Sequence, residues 1–417
     1  MIRRRLRILV LSPDLPYPPS WGFGTRVYQL VRHLAEHHDV TLLCYARPDQ
    51  ESSAVALREV CADVRMVRRP APGLIARRSG QLRSLLSTAT FQAQELRSRG
   101  MQAALDELLG GAGFDVVQVE STYMGGFRFG TGAAVVLDEH NIEYELLQRM
   151  SGSERSGLRR AFNGLEHAKT RRVEQRMWQG LDACLLTSAR EEAVVRTKAP
   201  GTVTAVVPNG VDPEYFAEGQ AEAKPDTVVF TGLLTYRPNL DAARFLVEEV
   251  LPLVRAERPE TVLTVVGHGH EADLRRLRQA GAVATGWVDD VRPYMAASAV
   301  ATAPLRIGSG TRLKVVEALA MAKPLVSTRL GCEGLELVPG EHMLVADDPA
   351  GIALAIGRLL ADPVLARRLG RAGRARAVER YSWATSARRL DDLYQEVAGR
   401  GARRPDSPVL AGPGGLL

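Results

Sequence analysis

Short apolar runs alternate with helix-period segments along most of the chain, and that alternation limits the fold more than any other feature. "RILVLS" from Arg7, "VTLLCYA" from Val40, "VRMV" from Val64, "DVVQVE" from Asp115, "AAVVLDEH" from Ala133 and "ACLLTS" from Ala183 read as strands. Most are too continuously apolar to leave one face in water, which is the pattern of parallel strands covered on both sides. Between them lie amphipathic segments such as 25–36, where Val27, Leu30, Val31 and Leu34 share one helix face. A second series begins at Asp226 with "TVVFTG", "TVLTVVG", "VATGWV", "AVATAPL" and "PLVST". Two βαβ series predict an α/β protein with two doubly wound, Rossmann-like parallel sheets.

The length of 417 residues suits two such domains. The turn-rich stretch from Val206 to Asp226, punctuated by Pro, Asn-Gly and Asp-Pro, marks the boundary between them. The expected organisation is a first domain over 1–207, a linker over 208–225 and a second domain over 226–382. An amphipathic helix over 383–400 and a Gly- and Pro-rich disordered tail over 401–417 complete the chain.

With 45% hydrophobic and 24% charged residues, the composition is that of a globular protein. No apolar run approaches the roughly 20 residues of a membrane span, and the basic start has too short an apolar stretch for a signal peptide. Four widely separated cysteines, Cys44, Cys61, Cys184 and Cys332, form no CxxC pair, so a cytoplasmic protein is expected. The net charge of +6 is scattered in arginine clusters without an aromatic-studded basic stripe, which argues against nucleic acid as a partner. The basic segment 77–100 leaves room for weak peripheral association with an acidic membrane at its inner face, with a soluble helix pair as the other reading. Oligomeric state leaves no mark in the sequence.

The stretch "GSGTRLKVVEALAMAKP", 308–324, begins with glycines and charge and continues as small apolar side chains. A buried strand running through a glycine loop into a helix points backbone N–H groups and a positive helix end at an anion. Gly308 and Gly310 supply the turn, Thr311 starts the helix, and Arg306, Arg312 and Lys314 add cations, so a diphosphate is the predicted ligand. Lys314 and Glu317 share a face with Gly310. Glu317, one turn further in, either accepts two hydroxyl hydrogens of a ribose or forms an ordinary i,i+3 pair with Lys314. A Walker loop is excluded, because Gly-Lys followed by Ser or Thr is absent.

"VVFTGLLTYRPNLDAARFLVEEVLPLV", "VVGHG", the long run from "GWVDD" to "GCEGL" and the closing "YSW" together resemble glycosyltransferase family 4. "WGFGTR", "DEHN" and "PNGVD" extend the likeness to the amino-terminal half. The resemblance implies a GT-B architecture, two Rossmann-like domains facing across a cleft, with the carboxyl-terminal helix returning to the first domain. It also implies a metal-independent, retaining transferase that takes a UDP- or GDP-sugar and needs no other cofactor. The acceptor, a glycan, lipid-linked glycan or small metabolite, is expected on the first domain. A GT-B nucleotide-sugar epimerase and an inert nucleotide-sugar-binding protein are the alternative readings.

On that resemblance, Gly22, Gly24, Asn209, Gly232, Asn239, Gly308, Ser309, Gly310, Thr311, Arg312 and Glu317 are donor-binding, and Glu317 takes the ribose. Ser309 stands where the family has its first glutamate. Leu233 and Pro238 fall near the family's usual Arg and Lys, so Arg306 and Lys314 are read as the replacement cations and as catalytic. His140, at the carboxyl end of its strand, matches the family's histidine near the reacting sugar. Glu139 or Glu143 is the base if the reaction inverts. Aspartates at 289, 347 and 391 read as turn or helix caps, not as metal ligands.

Overall fold

The computed structural model describes residues 3–70, 84, 87–111, 113–152, 157–219, 222–308 and 310–401. The chain divides into two compact units, one running to Pro208 and resuming at Ser386, the other spanning Asn209–Thr385.

In the first unit seven strands pair in parallel. They are β1 (Arg7–Ser12), β2 (Asp39–Ala46), β3 (Asp63–Arg68), β4 (Val116–Glu120), β5 (Ala134–Glu139), β6 (Ala183–Leu186) and β7 (Val203–Val206). Their order is β3-β2-β1-β4-β5-β6-β7, so the winding reverses between β1 and β4. β4 and β5 are buried throughout, as central parallel strands must be when helices cover both faces. One apolar cluster gathers Leu9, Leu11, Val117, Val119, Val135 and Leu137 with Met177 and Trp178 of the Gly157–Gly180 helix.

The second unit has six parallel strands: β8 (Lys224–Thr231), β9 (Val262–Val266), β10 (Val283–Ala284), β11 (Ser298–Ala303), β12 (Leu325–Ser327) and β13 (Leu344–Val345). The order β10-β9-β8-β11-β12-β13 places its reversal between β8 and β11. Successive strand residues serve opposite faces: Phe230 and Val265 enter one core with Ile352 and Leu369, while Val229 and Val266 enter another with Val315 and Leu319.

The last helix, Trp383–Gly401, starts in the second unit and belongs to the first from Ser386 onward. Every strand read from the sequence is present, and two are added: β7 and the two-residue β13. Both are short edge strands, whose few residues carry too little apolar pattern to be read. No single described helix is long and apolar enough to cross a membrane. Residues 402–417 of the expected tail, and 77–83, 85 and 86 of the basic segment, lie outside the described residues.

Candidate functional site

In an open parallel sheet the strand-to-helix loops diverge where the winding reverses, leaving a crevice at the carboxyl ends of the strands. The sequence-predicted residues gather at that edge in each unit.

In the second unit, Gly232 follows β8, and residues 304–308 and 310–312 follow β11, the two strands flanking the reversal. The helix begins at Leu313, two residues later than the glycine pattern suggests, with Arg312 as its N-cap residue. Its Val315, Val316, Ala318, Leu319 and Ala320 are buried, and this leaves Lys314 and Glu317 on the remaining face. The Lys314 ammonium donates to Asn239 Oδ1 at 2.8 Å and lies 4.1 Å from the centre of the Phe230 ring. Gly232 is the floor of this arrangement, since a Cβ there stands 2.6 Å from Lys314 Nζ and 2.9 Å from the Asn239 amide. Burial pushes Lys314 down to about 7, against the nearby Glu317 and aided by Arg312. Burial likewise raises Glu317 to about 7, against the pull of Lys314.

The simple i,i+3 ion pair does not form. Lys314 turns to Asn239, and the Glu317 carboxylate has no hydrogen-bond or ion-pair partner among the described residues. Asn209 donates to the Thr311 carbonyl at 3.1 Å, joining the "PNGVD" turn to the glycine loop. Gly308 and Gly310 take φ of 140° and 71°, backbone that favours glycine. The Thr311 hydroxyl is buried without a partner among the described residues. Arg312 reaches the Leu330 carbonyl.

Arg306 is differently placed. Its guanidinium forms a two-point pair with Asp241 (2.9 and 3.0 Å), reaches Glu249 at 3.1 Å and stacks on Phe245. Two carboxylates therefore already compensate its charge. Ser309 lies outside the described residues.

In the first unit, Gly22 opens the helix Gly22–Ala35 after β1, and His140 directly follows β5. Phe23, between the two predicted glycines, stacks on the His140 ring with centroids 4.5 Å apart and planes at 20°. Gly24 is needed for packing, because a Cβ there meets the Trp21 ring at 2.8 Å. His140 Nε2 lies 2.6 Å from Glu120 Oε2 and 3.9 Å from Asp138 Oδ2. Beneath them the fully buried Arg26 donates to both oxygens of Asp138 and to the Val207 carbonyl. Burial and Asp138 raise Glu120, and its contacts with His140 and Arg26 oppose the rise.

Sequence reasoning missed Phe23, Arg26, Glu120 and Asp138. Their signal was present: Gln118 and Glu120 interrupt "DVVQVE", Asp138 ends the apolar part of "AAVVLDEH", and Arg26 sits beside core-facing Val27. A charge inside an apolar run must find a partner when buried, and here each finds another. Ligand atoms of Glu120, Asp138 and His140 converge within 4.8 Å, as a metal site requires, but the Arg26 guanidinium already occupies both Asp138 oxygens.

Glu139 points elsewhere, accepting from Thr122 and from the Trp178 indole at 3.1 Å. Glu143 accepts from Tyr123 at 3.1 Å, and Glu174 caps the Glu143–Gly152 helix through the N–H groups of Glu143 and Tyr144.

Two family models match the chain in tandem, Glycosyltransferase Family 4 over residues 22–215 and Glycosyl transferases group 1 over 225–362. The chain belongs to glycosyltransferase family 4. A relative, the phosphatidyl-myo-inositol mannosyltransferase of Mycobacterium tuberculosis, is 33% identical over 223 residues. That match takes in 49% of this chain and 57% of the relative, so this chain aligns with little more than half of that protein. Among solved structures, sucrose-phosphate synthase from Thermosynechococcus elongatus superposes with a TM-score of 0.72 at 20% identity, over 95% of this chain and all of that one. HepE from Anabaena, in complex with UDP and glucose, gives 0.66 at 13% identity over 94% and 100%. The family 4 chain thus has the GT-B fold.

Proposed function

We propose that the protein transfers a sugar from a nucleotide diphosphate donor to an acceptor, with retention of configuration and in the cytoplasm. The observation that carries this reading is the Lys314 ammonium held on Asn239 above Gly232, at the reversal edge, beside a Glu317 carboxylate with no partner among the described residues. The combination suits a ligand with phosphates on one side and vicinal hydroxyls on the other. A UDP- or GDP-sugar has both. The UDP- and glucose-bound HepE structure supports the same substrate class, and the mannosyltransferase relative supports sugar transfer.

In this reading Lys314, the glycine-loop amides and Thr311 take the diphosphate, and Glu317 takes the ribose. Asn209, Gly232, Asn239, Gly308, Gly310 and Arg312 shape and hold the donor site. Arg306 reaches the donor only by exchanging Asp241 and Glu249 for phosphate oxygens. The bond from the anomeric carbon to the diphosphate oxygen breaks, the bond to the acceptor oxygen forms on the same face, and the departing diphosphate oxygen takes the acceptor's proton. The protein contributes positioning and charge stabilisation, with cations on the leaving group and His140 at the sugar. The acceptor is held by the first unit.

The test is release of nucleoside diphosphate by the purified protein, donor by donor, with and without candidate acceptors. Acceptor-dependent release supports transfer, and determination of the product's anomeric configuration fixes retention. Donor binding without turnover across glycan, lipid-linked and small-molecule acceptors contradicts it.

A further inference from the structure

We propose that Glu120 is a positioning residue for His140: it holds the imidazole proton on Nε2 and leaves Nδ1 as the acceptor that meets the sugar. The last clause rests on the reading of His140 given above. The first rests on the geometry alone.

Glu120 is the final residue of β4 and pairs in register with Asp138 of β5, so its carboxylate lies beside the strand end from which His140 emerges. The 2.6 Å contact joins Glu120 Oε2 to His140 Nε2, and Glu120 is fully buried. Its other oxygen, Oε1, hydrogen-bonds the Gln118 side-chain amide, whose own Oε1 is buried without a partner among the described residues. Either Oε1 accepts from Gln118 or, if protonated, it donates to that amide's carbonyl after a flip. In both arrangements Oε2 carries no proton of its own, and we assign the proton in the contact to His140 Nε2; a proton carried on Oε2 would instead leave the ring N–H on Nδ1, the result that overturns the proposal. Phe23 fixes the plane of the ring by stacking, and Glu120 fixes its rotation about that plane.

The other polar groups around this contact do not compete for the proton. Asp138 is 3.9 Å from Nε2 and already accepts from Arg26 through both oxygens. Arg26 is a donor only. Tyr394, from the last helix, is fully buried, and its hydroxyl has no partner among the described residues, although it feels the charges of Glu120, Asp138 and Arg26. An imidazole held by a buried carboxylate at one nitrogen has its tautomer decided there, whichever ligand comes to the other.

The test is long-range 15N NMR of the full-length protein with labelled histidine, the His140 signals being assigned by their loss in His140→Asn. The expected result is the Nε2–H form in the wild type and in Glu120→Gln, whose amide oxygen still accepts while Gln118 flips. In Glu120→Leu, or in Glu120→Asp should the leucine variant not fold, His140 becomes a mixture of tautomers. An Nδ1–H form in the wild type, or an unchanged tautomer in the soluble leucine or aspartate variant, overturns the proposal.

Kinetics adds a second readout. Glu120→Leu lowers kcat by about 10- to 100-fold, the usual cost of losing an orienting partner, with donor KM within about twofold, and Glu120→Gln restores most of it. Equal losses in the Gln and Leu variants contradict positioning through the hydrogen bond. A wild-type protein that turns over no nucleotide sugar defeats the transfer reading, while the tautomer still decides the role of Glu120.

Discussion

Lys314 and Asn239 stand 75 positions apart in the chain and meet at 2.8 Å. One comes from the helix after β11 and the other from the Arg237–Phe245 helix after β8, so their contact spans the point where the second sheet reverses its winding.

The contact depends on a glycine. Gly232→Ala places a methyl group within 2.6 Å of the Lys314 ammonium and 2.9 Å of the Asn239 amide, the ends of side chains that can swing away. Donor affinity should fall by about 10-fold or more, the worth of one charge-assisted hydrogen bond, while the fold survives. Calorimetric donor titration and a melting curve on the same sample check both halves.

Donor binding should weaken as pH rises. Burial lowers Lys314 to about 7, so above neutrality much of the unliganded protein carries a neutral amine that must regain its proton to meet a diphosphate. The wild-type dissociation constant should therefore rise between pH 6.5 and 8.5, by up to about tenfold per unit for one linked proton. Lys314→Arg, permanently charged, should show a shallower slope, with the Glu317 titration common to both proteins. Identical slopes contradict the assignment.

Arg26 and Asp138 are a buried pair, 1% and 0% exposed. Removing either partner alone leaves the other charge desolvated, which costs about 3 to 5 kcal/mol. Arg26→Met and Asp138→Asn should each lower the urea midpoint sharply. The double variant should recover part of the loss, a coupling that a thermodynamic cycle measures.

A second buried group predicts the pH dependence of stability. Burial raises Glu139 to about 8 and Glu143 to about 7, and it raises Glu174 with the help of both. The folded protein keeps these protons where the unfolded chain, titrating near 4.5, has released them. Their contribution is full below that value and declines as pH rises toward 8. Glu139→Gln should flatten the fall in melting temperature between pH 5 and 8. A slope unchanged from wild type places the titration elsewhere.

The sheets were legible because buried parallel strands leave long apolar runs, and the glycine loop because only glycine suits its backbone. The reach of Lys314 was not. Spacing along one helix brings it to Glu317, whereas its partner Asn239 lies on another helix and only the packed sheet brings the two together. Arg306 shows the same limit: sequence counts it as a free cation beside the loop, and the fold supplies Asp241 and Glu249 from the segment that follows β8, the neighbour of β11 in the sheet. His140 was readable from its strand end; Glu120 also ends its strand, but nothing along the chain pairs it with a histidine 20 positions on, and only the register of β4 with β5 does so.

The central claim is that Lys314 holds a nucleotide diphosphate. The most direct measurement is a thermal-shift titration of UDP, GDP and their sugars against the wild type and Lys314→Ala, since a ligand that binds only the folded state raises its midpoint. At least one of these nucleotides should raise the wild-type midpoint, and the alanine variant should need about 10- to 100-fold more of it for the same shift. No shift from any of them, or equal shifts in both proteins, contradicts the account.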